Sequence, residues 1–227
     1  MAIKLVVFDM AGTTVEDNNN VHAALVQGFA ANNYTISLAD ANRVMGIPKP
    51  VAIRQLLDEK FASVEEKGKL VSKIHDVFLE EMISFYKNDA SVKAKDGAEE
   101  TFAALRAKGI KVCLDTGFSR DITDTILERL NWKGTDIIDH SITSDEVTNG
   151  RPYPDMIYKA MQDLHIESAE QIAKVGDTAS DMHEGTSAGC KYVIGITTGA
   201  FNAEDLAKEP HTHLITNLSE VVDIVSS

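Results

Sequence analysis

The 227-residue chain carries 22 lysines and arginines against 35 aspartates and glutamates, a formal net charge of −13, and it is 44% hydrophobic and 25% charged. That composition supports one substantial core with a smaller appended unit, and it argues against wholesale disorder and against a broad nucleic-acid-binding face. The two cysteines, Cys113 and Cys190, make neither a disulfide framework nor a metal cluster and read as small core residues in a reducing, cytoplasmic compartment. The first apolar run is too short for a signal-peptide core followed by a cleavage site. No stretch reaches the ~18 consecutive apolar residues of a membrane span.

Residues 3–8 form a continuous, β-branched-rich apolar run, which predicts a strand covered on both faces with Asp9 at its carboxyl end. The AGTT that follows supplies a small residue, a glycine and two hydroxyls, and reads as a loop. Ala24, Leu25 and Phe29 recur at helical spacing and predict a helix over residues 21–32. Ser37 caps a second helix to about residue 44, and Met45-Gly46-Ile47-Pro48-Lys49-Pro50 interrupts it. Helices follow over residues 51–60 and about 64–86, the longer one with Leu70, Ile74, Phe78, Met82 and Phe85 on one stripe. Residues 15–92 are therefore expected to be an inserted helical cap, with 1–14 and 93–227 forming a discontinuous core.

After Lys95-Asp96-Gly97 the pattern alternates. Helices over residues 98–108, 120–130, 154–164 and 181–188 interleave with strands over 110–114, 137–142, 172–175 and 192–196. An edge strand over 212–215 and a short helix over 218–224 close the chain. The expectation is an α/β, Rossmann-like, mainly parallel sheet with helices on both faces.

In such a sheet, ligands bind beyond the carboxyl ends of the strands. Asp9 lies there after the first strand, Thr116 and Gly117 after the second, Arg151 after the third, and Asp177 with Asp181 after the fourth. Carboxylates at the ends of two strands suit a hard cation: Asp9 and Asp177 can bind Mg²⁺ directly with a backbone carbonyl near Ala11, while Asp181 orients the ligands. Asp9 can then attack phosphorus and form an aspartyl-phosphate. Thr13 and Thr116 offer hydroxyls, the Gly117 turn offers backbone amides, and Arg151 offers a positive fork for phosphoryl oxygens. Neither GxGxxG nor GxxxxGK[ST] occurs at the first strand, which removes the usual nucleotide cradles. The loop from Gly195 to Gly199, with Thr197 and Thr198, either touches phosphate or turns for packing alone.

FDMAGTT at residues 8–14, the Thr116-Gly117 turn, Arg151 and GDTASDMHEG at residues 176–185 together resemble the haloacid-dehalogenase-like hydrolases across nearly the whole chain. The resemblance implies that Thr178 joins Asp181 in orienting the metal's ligands. The family usually carries an acid two places after its nucleophile, where this chain has Ala11. Its phosphonoacetaldehyde hydrolase branch also has alanine there, and GRPYPDM at residues 150–156 is similar to that branch's third motif. In that branch a cap lysine forms a Schiff base with the aldehyde. Met45-Gly46-Ile47-Pro48-Lys49 is similar to the corresponding segment, which implies that role for Lys49, with Met45 and Gly46 beside the substrate. The branch's histidine after the lysine falls at Ala52 and its cap cysteine at Asn19, whereas His22 and His75 lie elsewhere in the predicted cap.

The resemblance therefore implies Mg²⁺-dependent hydrolysis of a small phosphonate or phosphate, with phosphonoacetaldehyde as the sharpest substrate and a phosphomonoesterase acting on phosphoglycolate-like compounds as the alternative. A phosphate sensor that binds without turnover and an assembly protein are the competing classes. The expected partners are the small substrate, no nucleic acid and no membrane, and the amphipathic cap is compatible with a homodimer.

Overall fold

Strand formation follows the runs of buried β-branched residues. β1 (Leu5–Asp9) is buried at every position, as is β4 (Ile172–Gly176), and β2 (Lys111–Thr116) is buried from its second residue. With β3 (His140–Thr143), β5 (Tyr192–Ile196) and β6 (His213–Ile215) they form one sheet in the order β3-β2-β1-β4-β5-β6, parallel throughout. The computed structural model describes residues 1–61, 63 and 65–226.

Side chains alternate across the sheet, so the two faces of β1 build different cores. Val6 and Phe8 face α5 (Ala98–Ala107) and α6 (Arg120–Arg129), where Phe8 meets Phe102 edge-on at 5.3 Å and Phe102 meets Trp132 at 5.5 Å. Leu5 and Val7 pack instead with Cys113 against Met156, Ile157 and Ala160 of α7 (Asp155–Leu164). Helix α8 (Ala179–Ala188) follows β4, and α10 (Glu220–Ser226) closes the chain as expected. A short α9 (Ala203–Leu206), capped by Asn202, was not anticipated, because four residues are too few to show a period.

Among the described residues four helices occupy the stretch between β1 and α5: α1 (Asn20–Ala31), α2 (Leu38–Asn42), α3 (Lys49–Lys60) and α4 (Lys67–Asn88). Ser37 and Asp40 cap α2 reciprocally. Several boundaries differ from expectation. Helix α3 takes in Lys49 because Pro48 stands at its N-cap and Pro50 in its first turn, where a missing backbone N–H costs nothing. Val64, the expected start of α4, lies outside the described residues, and the helix begins at Lys67. The third strand starts later than the apolar pattern suggests, since Asp139 is already tied to Val112 by its own backbone and carboxylate (both 2.8 Å).

The inserted helices leave and rejoin the sheet domain through adjacent segments. Lys95 N–H donates to the Thr14 carbonyl (2.9 Å), Glu16 N–H donates to the Lys93 carbonyl (3.1 Å), and Val15 bridges Ala94. On the inner side of the insertion, Phe78 and Tyr86 of α4 pack against Phe118 of the sheet domain, with ring centroids 6.4 and 6.1 Å apart. No described helix is long and apolar enough to cross a membrane.

Candidate active site at the sheet's switch point

The strand order reverses between β1 and β4, which opens a crevice at their carboxyl ends. Asp9 ends β1, and Asp177 follows β4 directly. The loop after Asp9 folds tightly back, with Thr14 Oγ1 donating to the Asp9 carbonyl (2.8 Å). Gly12 is left-handed there (φ +91°), and a side chain at that position would collide with Asp177. Asp177 is held by Thr13 Oγ1 at 3.0 Å and by the Ala200 N–H at 2.6 Å. Asp181 enters from the first turn of α8, where it and Thr178 form a capping box, Thr178 Oγ1 donating to Asp181 Oδ2 at 2.5 Å.

Asp9, Asp177 and Asp181 are all buried, and one oxygen from each lies within 4.8 Å of the others. Burial, followed by the charges of Asp9 and Asp181, pushes the Asp177 carboxyl up to about 8. Burial also raises Asp9 to about 6, against the pull of Arg151. Asp177 forms no ion pair among the described residues. A cluster of oxygen donors that disfavours its own ionisation fits a hard divalent cation, for which these carboxylates would supply charge and ligands.

The neighbouring acidic group, Asp115, Asp181 and Glu184, is different because the protein supplies its own cations. In the register Asp9 lies beside Asp115 and Val7 beside Lys174, so all four project from one face. Lys174 Nζ pairs with Asp115, with Glu184 (2.9 Å) and with Asp181 (3.1 Å). Arg151 donates to Asp181 (2.5 Å), Asp9 (2.7 Å) and the Asp115 carbonyl (3.0 Å). Burial pushes Glu184 well up, whereas Lys174 and Arg151 overcome the burial of Asp115 and hold its carboxyl down. Arg151 is thus enclosed and bonded to the nucleophile candidate and to the carboxylate that caps α8.

Above the carboxylates lies a chamber of about 30 Å³, walled on the sheet side by Asp9, Ala11, Thr116, Gly117, Phe118, Thr178 and Ala200. The inserted helices and their linker contribute Asp17, Val21, His22, Met45, Gly46 and Lys49. A cleft of about 630 Å³ adjoins it, sharing Lys49, Gly117 and Phe118 and reaching Arg151 and His75. Gly46 is left-handed (φ +81°) and comes so close to Thr178 that a Cβ would strike its hydroxyl. Three residues on, Lys49 is 4% exposed, with Nζ 5.9 and 5.8 Å from the ring centres of Phe78 and Phe118 and one long bond, 3.4 Å, to the Ile47 carbonyl. Burial, reinforced by Arg151, lowers its amine from 10.5 to about 8.

The family model of haloacid dehalogenase-like hydrolases matches residues 3–189. The chain belongs to that family. It is similar to the phosphonoacetaldehyde hydrolase of Bacillus cereus strain G9842, at 31% identity over 99% of this chain and 87% of the relative. Among solved structures it resembles a phosphonoacetaldehyde hydrolase like protein from Oleispira antarctica (TM-score 0.87, 21% identity, 100% of this chain and 92% of that one). It also resembles CbbY from Rhodobacter sphaeroides in complex with phosphate (TM-score 0.78, 18% identity, 96% of each chain). At those identities the two structures speak for the haloacid-dehalogenase-like fold alone.

As a member of this hydrolase family, the chain places Asp9, Asp177 and Asp181 together, with Arg151 on Asp9 and Thr116, Gly117, Met45, Gly46 and Lys49 around one chamber. Thr13 faces Asp177, and the loop with Thr198 and Gly199 serves the same carboxylate, since Gly199 and Ala200 lie against it. Sequence reasoning missed Asp115, Lys174 and Glu184, although a lysine inside the wholly buried run IAKVG was a signal that a buried anion must face it. It also missed Asp17 and Lys95; the latter donates to the Gly12 and Thr198 carbonyls (2.6 and 2.8 Å) and fastens both loops around Asp177. His75 lines the outer cleft and His22 the inner chamber.

Proposed function

We propose that this hydrolase cleaves phosphonoacetaldehyde to acetaldehyde and phosphate, with Mg²⁺ at Asp9 and Asp177, and that Lys49 and Asp9 attack the two ends of the substrate. The observation that carries this reading is Lys49: a buried amine lowered to about 8, in one chamber with the nucleophile candidate. A solvated lysine at neutral pH is almost wholly protonated, whereas an amine near 8 is neutral about one time in ten at pH 7 and can add to an aldehyde. Ala11 suits the same chemistry, because a leaving carbon stabilised as an enamine needs no acid at that position.

In this reading the neutral Lys49 amine adds to the aldehyde carbon and water leaves, giving an iminium. An Asp9 carboxylate oxygen attacks phosphorus as the carbon–phosphorus bond breaks, and its electron pair passes into the iminium to give an enamine. Protonation at carbon and hydrolysis release acetaldehyde and restore Lys49, and a second water releases phosphate from Asp9. Arg151 orients Asp9, while the Thr116 hydroxyl and the Gly117 turn receive phosphoryl oxygens. Bound Mg²⁺ supplies positive charge that offsets the phosphoryl group's repulsion from the carboxylates. The inserted stretch, residues 15–92, acts as the cap that brings Lys49 to the core formed by 1–14 and 93–227.

The test is release of acetaldehyde and phosphate from phosphonoacetaldehyde, run beside phosphoglycolate and a generic phosphomonoester. Equal, Mg²⁺-dependent yields of both products, lost in Lys49→Arg and Asp9→Asn, are expected. Phosphate from the esters alone, unaffected by Lys49→Arg, would make the protein a phosphomonoesterase.

A further inference from the structure

Two loops far apart in sequence orient the Asp177 carboxylate, one on each oxygen. The loop after β1 brings Thr13 Oγ1 to Asp177 Oδ1 at 3.0 Å, and the loop after β5 brings the Ala200 N–H to Oδ2 at 2.6 Å. The second loop is tied to the Asp177 carbonyl as well, by the Phe201 N–H at 3.2 Å. Gly12 of the first loop and Gly199 of the second lie so close to the carboxylate that neither position has room for a Cβ. Small movements of either loop would therefore reach Asp177 directly.

One side chain joins the two loops. Lys95 stands on the linker through which the inserted helices return, its own N–H donating to the Thr14 carbonyl at 2.9 Å. Its Nζ donates to the Gly12 carbonyl at 2.6 Å and to the Thr198 carbonyl at 2.8 Å. Among the described residues this half-buried ammonium forms no ion pair, and it spends two of its three donors on backbone oxygens. Burial lowers its amine, and the charge that most opposes this is Asp177. Gly12 is one peptide unit beyond Ala11, whose carbonyl is the backbone ligand expected for the cation. A glycine there has wide backbone freedom, so the loop needs an outside restraint to keep that peptide in place. Groups behind a metal's ligands commonly set roughly 10–100-fold of its affinity by holding the ligands where the ion needs them.

We propose that Lys95 is a positioning residue for the Mg²⁺ site: by clamping the Gly12 and Thr198 carbonyls, it holds the loops after β1 and β5 in the arrangement that presents Asp177 and Ala11 to the ion. Without the clamp, the Thr13 and Ala200 bonds to Asp177 lose their shared brace, and part of the ion's binding energy is consumed in reassembling the two loops. This assignment rests on the Mg²⁺ reading above and is independent of the substrate and of the Lys49 step.

Calorimetric titration with Mg²⁺ alone, without substrate, tests it on wild type, Lys95→Met, Lys95→Gln, Lys93→Met and Asp177→Asn. Methionine keeps the stem and removes the charge and both bonds, whereas glutamine is one bond shorter, uncharged, and reaches at most one carbonyl. Lys93, two residues back, has a side chain 61% exposed, so Lys93→Met takes the same charge from the linker and leaves the clamp intact. Both Lys95 variants should bind Mg²⁺ at least about tenfold more weakly than wild type, Lys93→Met should match wild type, and Asp177→Asn should not bind. Thermal melting without Mg²⁺ shows which variants are folded, and glutamine supplies the reading should methionine not fold. Wild-type affinity in either folded Lys95 variant, or a loss of the same size in Lys93→Met, would overturn the clamp and leave the Mg²⁺ site standing. If wild type binds no Mg²⁺, or Asp177→Asn binds it as wild type does, the site itself falls and this proposal falls with it.

Discussion

At the scale of single residues, the site is defined by groups kept away from their ordinary ionisation. Lys49 illustrates the consequence. Its folded-state pKa of about 8 lies below the 10.5 of the free side chain, so between those values the folded protein binds fewer protons than the unfolded chain. The stability cost is fully present below pH 8 and is relieved as the pH rises through 10.5. The gap corresponds to on the order of 3 kcal/mol at neutral pH. Lys49→Met, similar in length and uncharged, should therefore raise the melting temperature at pH 7 by several degrees while abolishing aldehyde chemistry. In the wild type, adduct formation with phosphonoacetaldehyde, trapped by borohydride, should climb about tenfold per pH unit up to about 8 and then level. A flat profile, or a Lys49→Met protein that melts lower, would contradict this account.

Elements set where those residues meet, and here the sequence was informative to different depths. The buried strands were legible because β1 is an apolar run ending in Asp9 and β4, apolar but for Lys174, runs straight into Asp177, so both aspartates followed directly from that placement. The Asp115–Lys174 pair was not legible, because it depends on which strands flank β1 and in what register. His22 was equally hidden: a helical period tells that one face of α1 is buried, not that this face ends at a chamber wall. The connection from α2 to α3 shows how an element boundary becomes functional. Gly46 lets this turn press against Thr178, and Lys49 opens the helix three residues later. Gly46→Ala, strained at a positive φ and blocked by the Thr178 hydroxyl, should lower turnover by at least about tenfold and cost roughly 1 kcal/mol in stability. Steady-state kinetics with denaturant unfolding would check both, and unchanged turnover would show that the turn does not position Lys49.

For the whole molecule, a cation held by the carboxylate cluster would couple its binding to folding. Asp9, Asp177 and Asp181 repel one another in a buried site, and a bound divalent ion would relieve that repulsion in the folded state only. Mg²⁺ at about a hundred times its dissociation constant should stabilise the fold by about 3 kcal/mol, visible as a rise in melting temperature that chelation reverses. Asp177→Asn should melt higher than the metal-free wild type and show no response to Mg²⁺. A wild-type response retained in that variant would place the ion elsewhere.

The adjoining linkers around Val15 and Ala94 carry a further consequence. Because Glu16 and Lys93 are already hydrogen-bonded to each other, a short turn would join them, at the loss of the packing of Phe78 and Tyr86 on Phe118. A two-residue turn in place of the four helices closes the same gap with little loop entropy. Lys49 and His22 go with the excised piece, whereas Asp9, Asp177 and Arg151 stay. On the proposed reading the nucleophile thus belongs to the sheet part of the fold, and the residue that would choose what it attacks belongs to the inserted helices.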